Sequence, residues 1–213
     1  MELTMSIKRE LVLASILLFL ILGYVKPAAA QVEHISVQKD TCFHDVDKID
    51  GHKLVIIVKA RDTTISTPKD FYDLDGIIGL SDSIKLNIIE QLLKFKNDQS
   101  ICCRKVGKYY YEGIERTCIG KPKSQIYSIQ IDALYLINKI VHPYGTSMYS
   151  CFPVVVNRET QKEINDCPEL IVDYYRIYEK FFEEAKKTNV ISNNFNFNTI
   201  KYAWFGADPN TIK

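Results

Sequence analysis

The sequence predicts an α+β fold: one helix-rich domain with three main helices, a small antiparallel β component and disulfide staples. Three observations predict it. Three segments repeat apolar residues at helical spacing, a β-branched run is bounded by turn residues, and six cysteines follow an export-type leader.

The leader is "MELTMSIKRELVLASILLFLILGYVKPAAA". Lys8 and Arg9 give a basic start, diluted by Glu2 and Glu10, and Leu11 to Val25 is uncharged and rich in Leu and Ile. Lys26-Pro27 then breaks the apolar helix, and Ala28-Ala29-Ala30 places small side chains at the −3 and −1 positions. That order is the signature of a signal peptide, residues 1–30, cleaved after Ala30. An anchor helix needs about 20 apolar residues, and Lys26 ends the run too early. The expectation is a secreted or periplasmic domain, residues 31–213, with no membrane association after cleavage. Charge points the same way. The leader carries a net +1 and so does the whole chain, leaving 24 basic and 24 acidic groups beyond Ala30. A neutral domain lacks the field that concentrates nucleic acid, so no nucleic-acid partner is expected.

In chain order, Val32 to Val37 alternates weakly and reads as a strand, and "HDVDKIDGH" reads as a turn with Asp50-Gly51 at its tip. "KLVIIVKA", Lys53 to Ala60, is a buried strand. The stretch from Arg61 to Ser83, punctuated by Pro68, Gly76 and Gly79, reads as a connector. Ser81 N-caps a helix over Asp82 to Lys96, where Ile84, Ile88, Leu92 and Phe95 recur at helical spacing. Lys105 to Thr117 reads as a hairpin turning at Glu112-Gly113. A second helix opens at Ser124, runs through Ile126, Ile129, Ala133, Leu136, Ile137 and Ile140, and stops before Pro143. Between Cys151 and Cys167, "FPVVVNRETQKEI" is a strand, a polar turn and a returning strand. The third helix begins near Asp166, with Glu169 completing a capping box, and buries Ile171, Tyr174, Tyr178, Phe181 and Ala185. The tail "NNFNFNTIKYAWF" is aromatic enough to dock on the core.

Cys42, Cys102, Cys103, Cys118, Cys151 and Cys167 are expected to form three disulfides, since exported chains meet an oxidising compartment. No C-x₂₋₄-C pair of a zinc site is present. The favoured pairing is Cys151–Cys167, with one of Cys102 and Cys103 joined to Cys118 and the other to Cys42.

For chemistry, "CFHDVDKIDGH" is the densest polar cluster. With Asp45 as position 1 of a calcium loop, position 5 falls on Ile49 and position 12 on Ile56, so that pattern fails. His44, Asp47 and His52 remain the only metal-ligating candidates, as two imidazoles and a carboxylate converging across a turn. No nucleophile elbow or phosphate-binding loop is present, and no cofactor is expected. Carboxylates such as Asp73, Asp75, Glu112 and Glu115 are too plentiful to single out a glycosidase pair. His142, at the end of the second helix, is expected as an imidazolium facing the helix C-terminus.

Tyrosine supplies the best functional signal, with thirteen in the chain. Tyr109, Tyr110 and Tyr111 must alternate between the faces of a strand, so at least one faces outward, beside Lys108 and Arg116. Exposed tyrosines favour protein and glycan contacts because they join large apolar area to a polar tip. The sequence therefore leans away from an enzyme and toward a disulfide-stabilised binding domain with a protein or glycan partner. The alternative is a small secreted hydrolase, metal-assisted through His44, Asp47 and His52.

Overall fold

A computed structural model describes residues 32–44, 49–60, 63–67, 74–104, 106 and 120–207, with His44, Ile49, Thr146 and Ser147 described by their backbone alone. The leader, the "KYYYEGIER" hairpin and Cys118 lie outside the described residues. The architecture is α+β, with two small antiparallel sheets and five helical segments among the described residues.

The first sheet has the order β1-β2-β3, from Val32–His44, Ile49–Ala60 and Thr63–Ser66. Register pairs Ile35 with Val58, Val37 with Ile56 and Lys39 with Leu54, so these side chains share one face. That face packs on two helices, α2 (Asp82–Leu93) and α3 (Ile129–Val141). The preceding helical turn is α1, Asp75–Ile78. A third long helix, α5 (Pro168–Thr188), packs against α2 and α3, and the single turn α4 (Thr146–Tyr149) precedes it. Every residue of α3 except Lys139 is buried, which makes it the axis of the core. The second sheet has the order β5-β4-β6, from Lys162–Glu163, Val155–Asn157 and Tyr202–Trp204.

Beyond the β3 pairing, both edges of the β1–β2 pair are partly closed by groups from outside the sheet. On β1, the Gln91 amide of α2 donates to the Ile35 carbonyl and accepts the Val37 N–H. On β2, His52 exchanges backbone bonds with Ile101 and Cys103, and Ile56 bonds Thr67. Leu54 lies between them and finds no strand. Its N–H donates to the Asp132 carboxylate at 3.3 Å, and its carbonyl accepts from Arg104 at 2.9 Å. Arg104 and Asp132 are themselves joined at 2.9 Å and fully enclosed. The buried ion pair thus occupies the place of a missing ladder rung.

Several expectations are corrected here. Asp50-Gly51 is no turn but lies within β2, opposite Phe43 and Cys42. Gly51 is needed because a Cβ there would come within 2.7 Å of the Ile101 carbonyl, where residues 101–103 run parallel beside the strand. The expected connector contains β3 and α1. The second long helix begins five residues after Ser124, with Ser128 as its N-cap, because Tyr127 and Ile129 are drawn into backbone bonds with Cys102 and Ser100. No capping box forms on α5; Cys167 is its N-cap and makes no side-chain capping bond.

Of the expected cysteine pairs, the one joining Cys42 to Cys102 or Cys103 forms, and Cys151–Cys167 does not. Cys42 bonds Cys103, while Cys102 and Cys167 are free thiols. Residues 102 and 103 face opposite ways along an extended segment, so Cys102 enters the core while Cys103 meets Cys42 across Gly51. Cys151 is disulfide-bonded as well, to a partner outside the described residues, and not to Cys167. The core cluster also takes in Tyr174, Tyr175 and Tyr178, so these α5 tyrosines are interior. Tyr178 is a hub there: its hydroxyl accepts from Asn138 and from the Trp204 indole. Phe197 and Trp204 of the tail are buried, and Phe197 stacks on Tyr178.

Candidate functional site

A cleft of about 1070 Å³ lies between residues 121–128 and the β5-β4-β6 sheet. Register explains its floor. Val156 pairs with Glu163 on one side and Ala203 on the other, so these three side chains form a row across one face of the sheet. The opposite face carries Val155, Tyr202 and Trp204, all buried in the core. Period-two alternation therefore leaves Val156, Ala203 and, two residues on, Arg158 and Phe205 toward the cleft.

The wall is an irregular segment held at both ends. At one end Ile101 and Ser128 form an antiparallel bridge. At the other, the Glu163 carboxylate accepts the N–H groups of Lys123 and Ser124 at 2.7 and 2.6 Å, and the Ser124 hydroxyl at 2.7 Å. Burial would raise the Glu163 pKa, but these donors outweigh it and hold the carboxyl below its ordinary range. Pro122 is buried while Lys121 and Lys123 on either side are exposed, so both ammonium groups face solvent along the wall. Arg158 and Lys162 line the cleft from the β4–β5 hairpin opposite, Arg158 on the floor's face with its guanidinium donating to the Thr199 carbonyl and Lys162 paired with Asn157 at the hairpin end. That hairpin turns tightly: the Asn157 side chain accepts from Glu159 and Thr160, and Gln161 has φ +55°. Four cationic and two anionic side chains, Glu163 and Asp166, line the cleft, which makes it two charges positive.

A second cavity of about 570 Å³ lies beside the Cys42–Cys103 disulfide and is lined by Phe43, Asp50, His52 and Ile101. Ile101 lines both cavities and joins them. It is 45% exposed, Ile126 on the wall is 47% exposed and Phe43 is 60% exposed, so an apolar ridge runs from one cavity to the other.

Of the residues singled out by sequence, Lys108, Tyr109, Tyr110, Tyr111, Arg116 and Asp47 lie outside the described residues, as does the side chain of His44. The His44 backbone pairs with Ile49 at the end of the hairpin. His52 sits opposite Thr41, and its Nδ1 is buried without a hydrogen-bond partner. Among the described residues, no three His, Cys, Asp or Glu side chains gather as a metal site would require. No family model matches the chain, and no curated protein or solved structure is detectably similar to it.

Sequence reading missed the cleft cations. "GKPKS" carried a signal, because a proline between two lysines opposes helix at the residue before it and favours an exposed extended stretch. Nothing in the sequence placed Arg158 and Lys162 across from it, since that depends on how the sheet docks.

Proposed function

We propose that the protein is an exported, disulfide-braced single domain that acts by binding a protein or glycan partner, without catalysis. The observation that carries this reading is the open cleft of about 1070 Å³, with an apolar sheet face as floor and cations on both rims. An apolar surface ringed by a few polar groups is the usual form of a ligand site. The tyrosine segment supports the same reading, because Lys108, Tyr109, Tyr110, Tyr111 and Arg116 lead directly in sequence to Gly120 and the cleft wall. Export rests on the leader, cleaved after Ala30. It is supported by the Cys42–Cys103 bridge, which suits an oxidising compartment, and no described helix is long and apolar enough to cross a membrane.

The test is binding of the mature protein to arrays of envelope proteins and glycans, followed by single alanine substitutions at Tyr109, Tyr110 and Tyr111. Weakened capture by a folded variant supports the assignment. Unchanged capture by all three removes these tyrosines from the site.

The metal-assisted hydrolase remains a second reading, favoured by the buried, unpartnered Nδ1 of His52, a residue that lines a cavity with Asp50. It requires stoichiometric metal in the purified protein and loss of that metal in His52→Ala. Metal-free protein with no turnover on glycan and peptide panels counts decisively against it.

A further inference from the structure

The chemistry of the cleft narrows the partner. Beyond the leader the chain is neutral, with 24 groups of each sign, yet the cleft lining is two charges positive. Those charges are not gathered at one point, as a single phosphate would require. Lys121 and Lys123 stand on the wall, and Arg158 and Lys162 stand across from them on the hairpin. A ligand that meets both rims must carry anionic groups along its length.

Three further features favour a peptide over an acidic glycan. The rim holds large exposed aliphatic side chains, Ile101 and Ile126, which offer nothing to a hydroxylated ring but bury well against Leu, Ile or Val. The floor row of Val156 and Ala203, with Phe205 beside it, is apolar up to Glu163 at its β5 end. The two wall lysines are alternate residues of a segment that is not helical, with buried Pro122 between them. Their spacing of about 6.5 Å is the repeat of side chains along one face of an extended chain.

Resting on the binding reading above, we propose that this cleft receives an extended segment of an acidic protein, its carboxylates meeting the lysine wall and the basic hairpin and its apolar side chains covering Ile126 and the sheet face. Charge sets the on-rate and register, and apolar burial supplies the affinity. The Glu163 carboxylate is held in place by the Lys123 and Ser124 N–H groups and the Ser124 hydroxyl, and it offsets part of the Lys123 charge, leaving Lys121 as the less neutralised wall cation.

Fluorescence anisotropy with labelled decapeptides tests this on the mature protein. The probes are alternating Glu-Leu, alternating Lys-Leu and alternating Glu-Ser, with a labelled oligogalacturonate as the glycan. The expected order places Glu-Leu about tenfold or more ahead of each other probe, with its binding weakened by salt. Lys123→Glu together with Lys162→Glu, at two exposed positions, is expected to cost about tenfold or more, and Ile126→Ser a similar factor. Equal binding of Lys-Leu and Glu-Leu, or indifference to both cleft variants, overturns the proposal. Binding of the oligogalacturonate alone also overturns it, while leaving the protein a binding domain. Loss of binding in the tyrosine variants but not in the cleft variants moves the site away from the cleft and has the same consequence.

Discussion

His142 is a buried imidazole at the C-terminal end of α3, stacked on Tyr149 at 3.9 Å and edge-on to Phe197. Sequence reading expected an imidazolium facing the helix C-terminus. Burial instead lowers its pKa to about 4, against hydrogen bonds to the backbone of Asn193 and Phe195 that act to raise it. The folded state holds the neutral ring, whereas the unfolded state takes up a proton near pH 6.5. Stability from this group is therefore complete above pH 6.5 and is lost as the pH falls toward 4. A shift of that size corresponds to about 3 kcal/mol. Urea unfolding midpoints measured from pH 7 to pH 4 are expected to fall, and His142→Gln is expected to flatten that window. A wild-type midpoint that is level down to pH 4.5 contradicts the assignment. The sequence showed the position of His142 and not its burial, because Tyr149 and Phe197 reach it only through the tertiary fold.

Among the secondary elements, β2 depends on groups that no strand pattern reveals. Leu54 is served by Arg104 and Asp132, so breaking that pair leaves both a buried charge and unpaired backbone. Arg104→Met is expected to cost about 3–5 kcal/mol, read as a lower urea midpoint. Replacing both partners, as Arg104→Met with Asp132→Leu, often restores stability where a buried pair has no other duty. Here it is not expected to, since the Leu54 N–H and carbonyl stay unsatisfied. Full recovery in the double variant rules out the ladder role. The neighbouring Cys42–Cys103 bridge closes a separation of 61 residues, and its loss as Cys42→Ser with Cys103→Ser is expected to cost about 4 kcal/mol. Gly51→Ala adds a methyl group against the Ile101 carbonyl and is expected to cost about 1–3 kcal/mol by the same assay.

For the whole molecule, the prediction concerns export and oxidation. Intact mass of the exported protein, denatured and alkylated without reduction, is expected to begin at Gln31. It should show alkylated thiols at Cys102 and Cys167 and none at Cys42, Cys103 or Cys151. A thiol count of zero restores three disulfides, and a mass beginning at Met1 removes the signal-peptide reading. Cys102 is expected to react only after unfolding, because burial, with the nearby charge of Asp132, pushes its thiol pKa well up. Cys167, half exposed, is expected to react in the native state.

Local pattern alone determined the α+β class, the apolar faces of α2, α3 and α5, the β4–β5 hairpin and the aromatic tail, because apolar period and turn chemistry are written within a few residues. The strand Lys53–Ala60 was legible for the same reason. Pairing decided everything else. The capture of residues 100–102 by 127–129 moved the start of α3, and pairing with Cys42 and Phe43 made Asp50-Gly51 strand rather than turn. The parallel approach of residues 101–103 to β2 selected Cys103 over Cys102 as the partner of Cys42. The cleft belongs with these, since its two rims are about forty residues apart in sequence and meet only because Glu163 accepts the amides of Lys123 and Ser124. Short-range preference cannot encode contacts made across such distances; the packing of the sheets on the helices sets them.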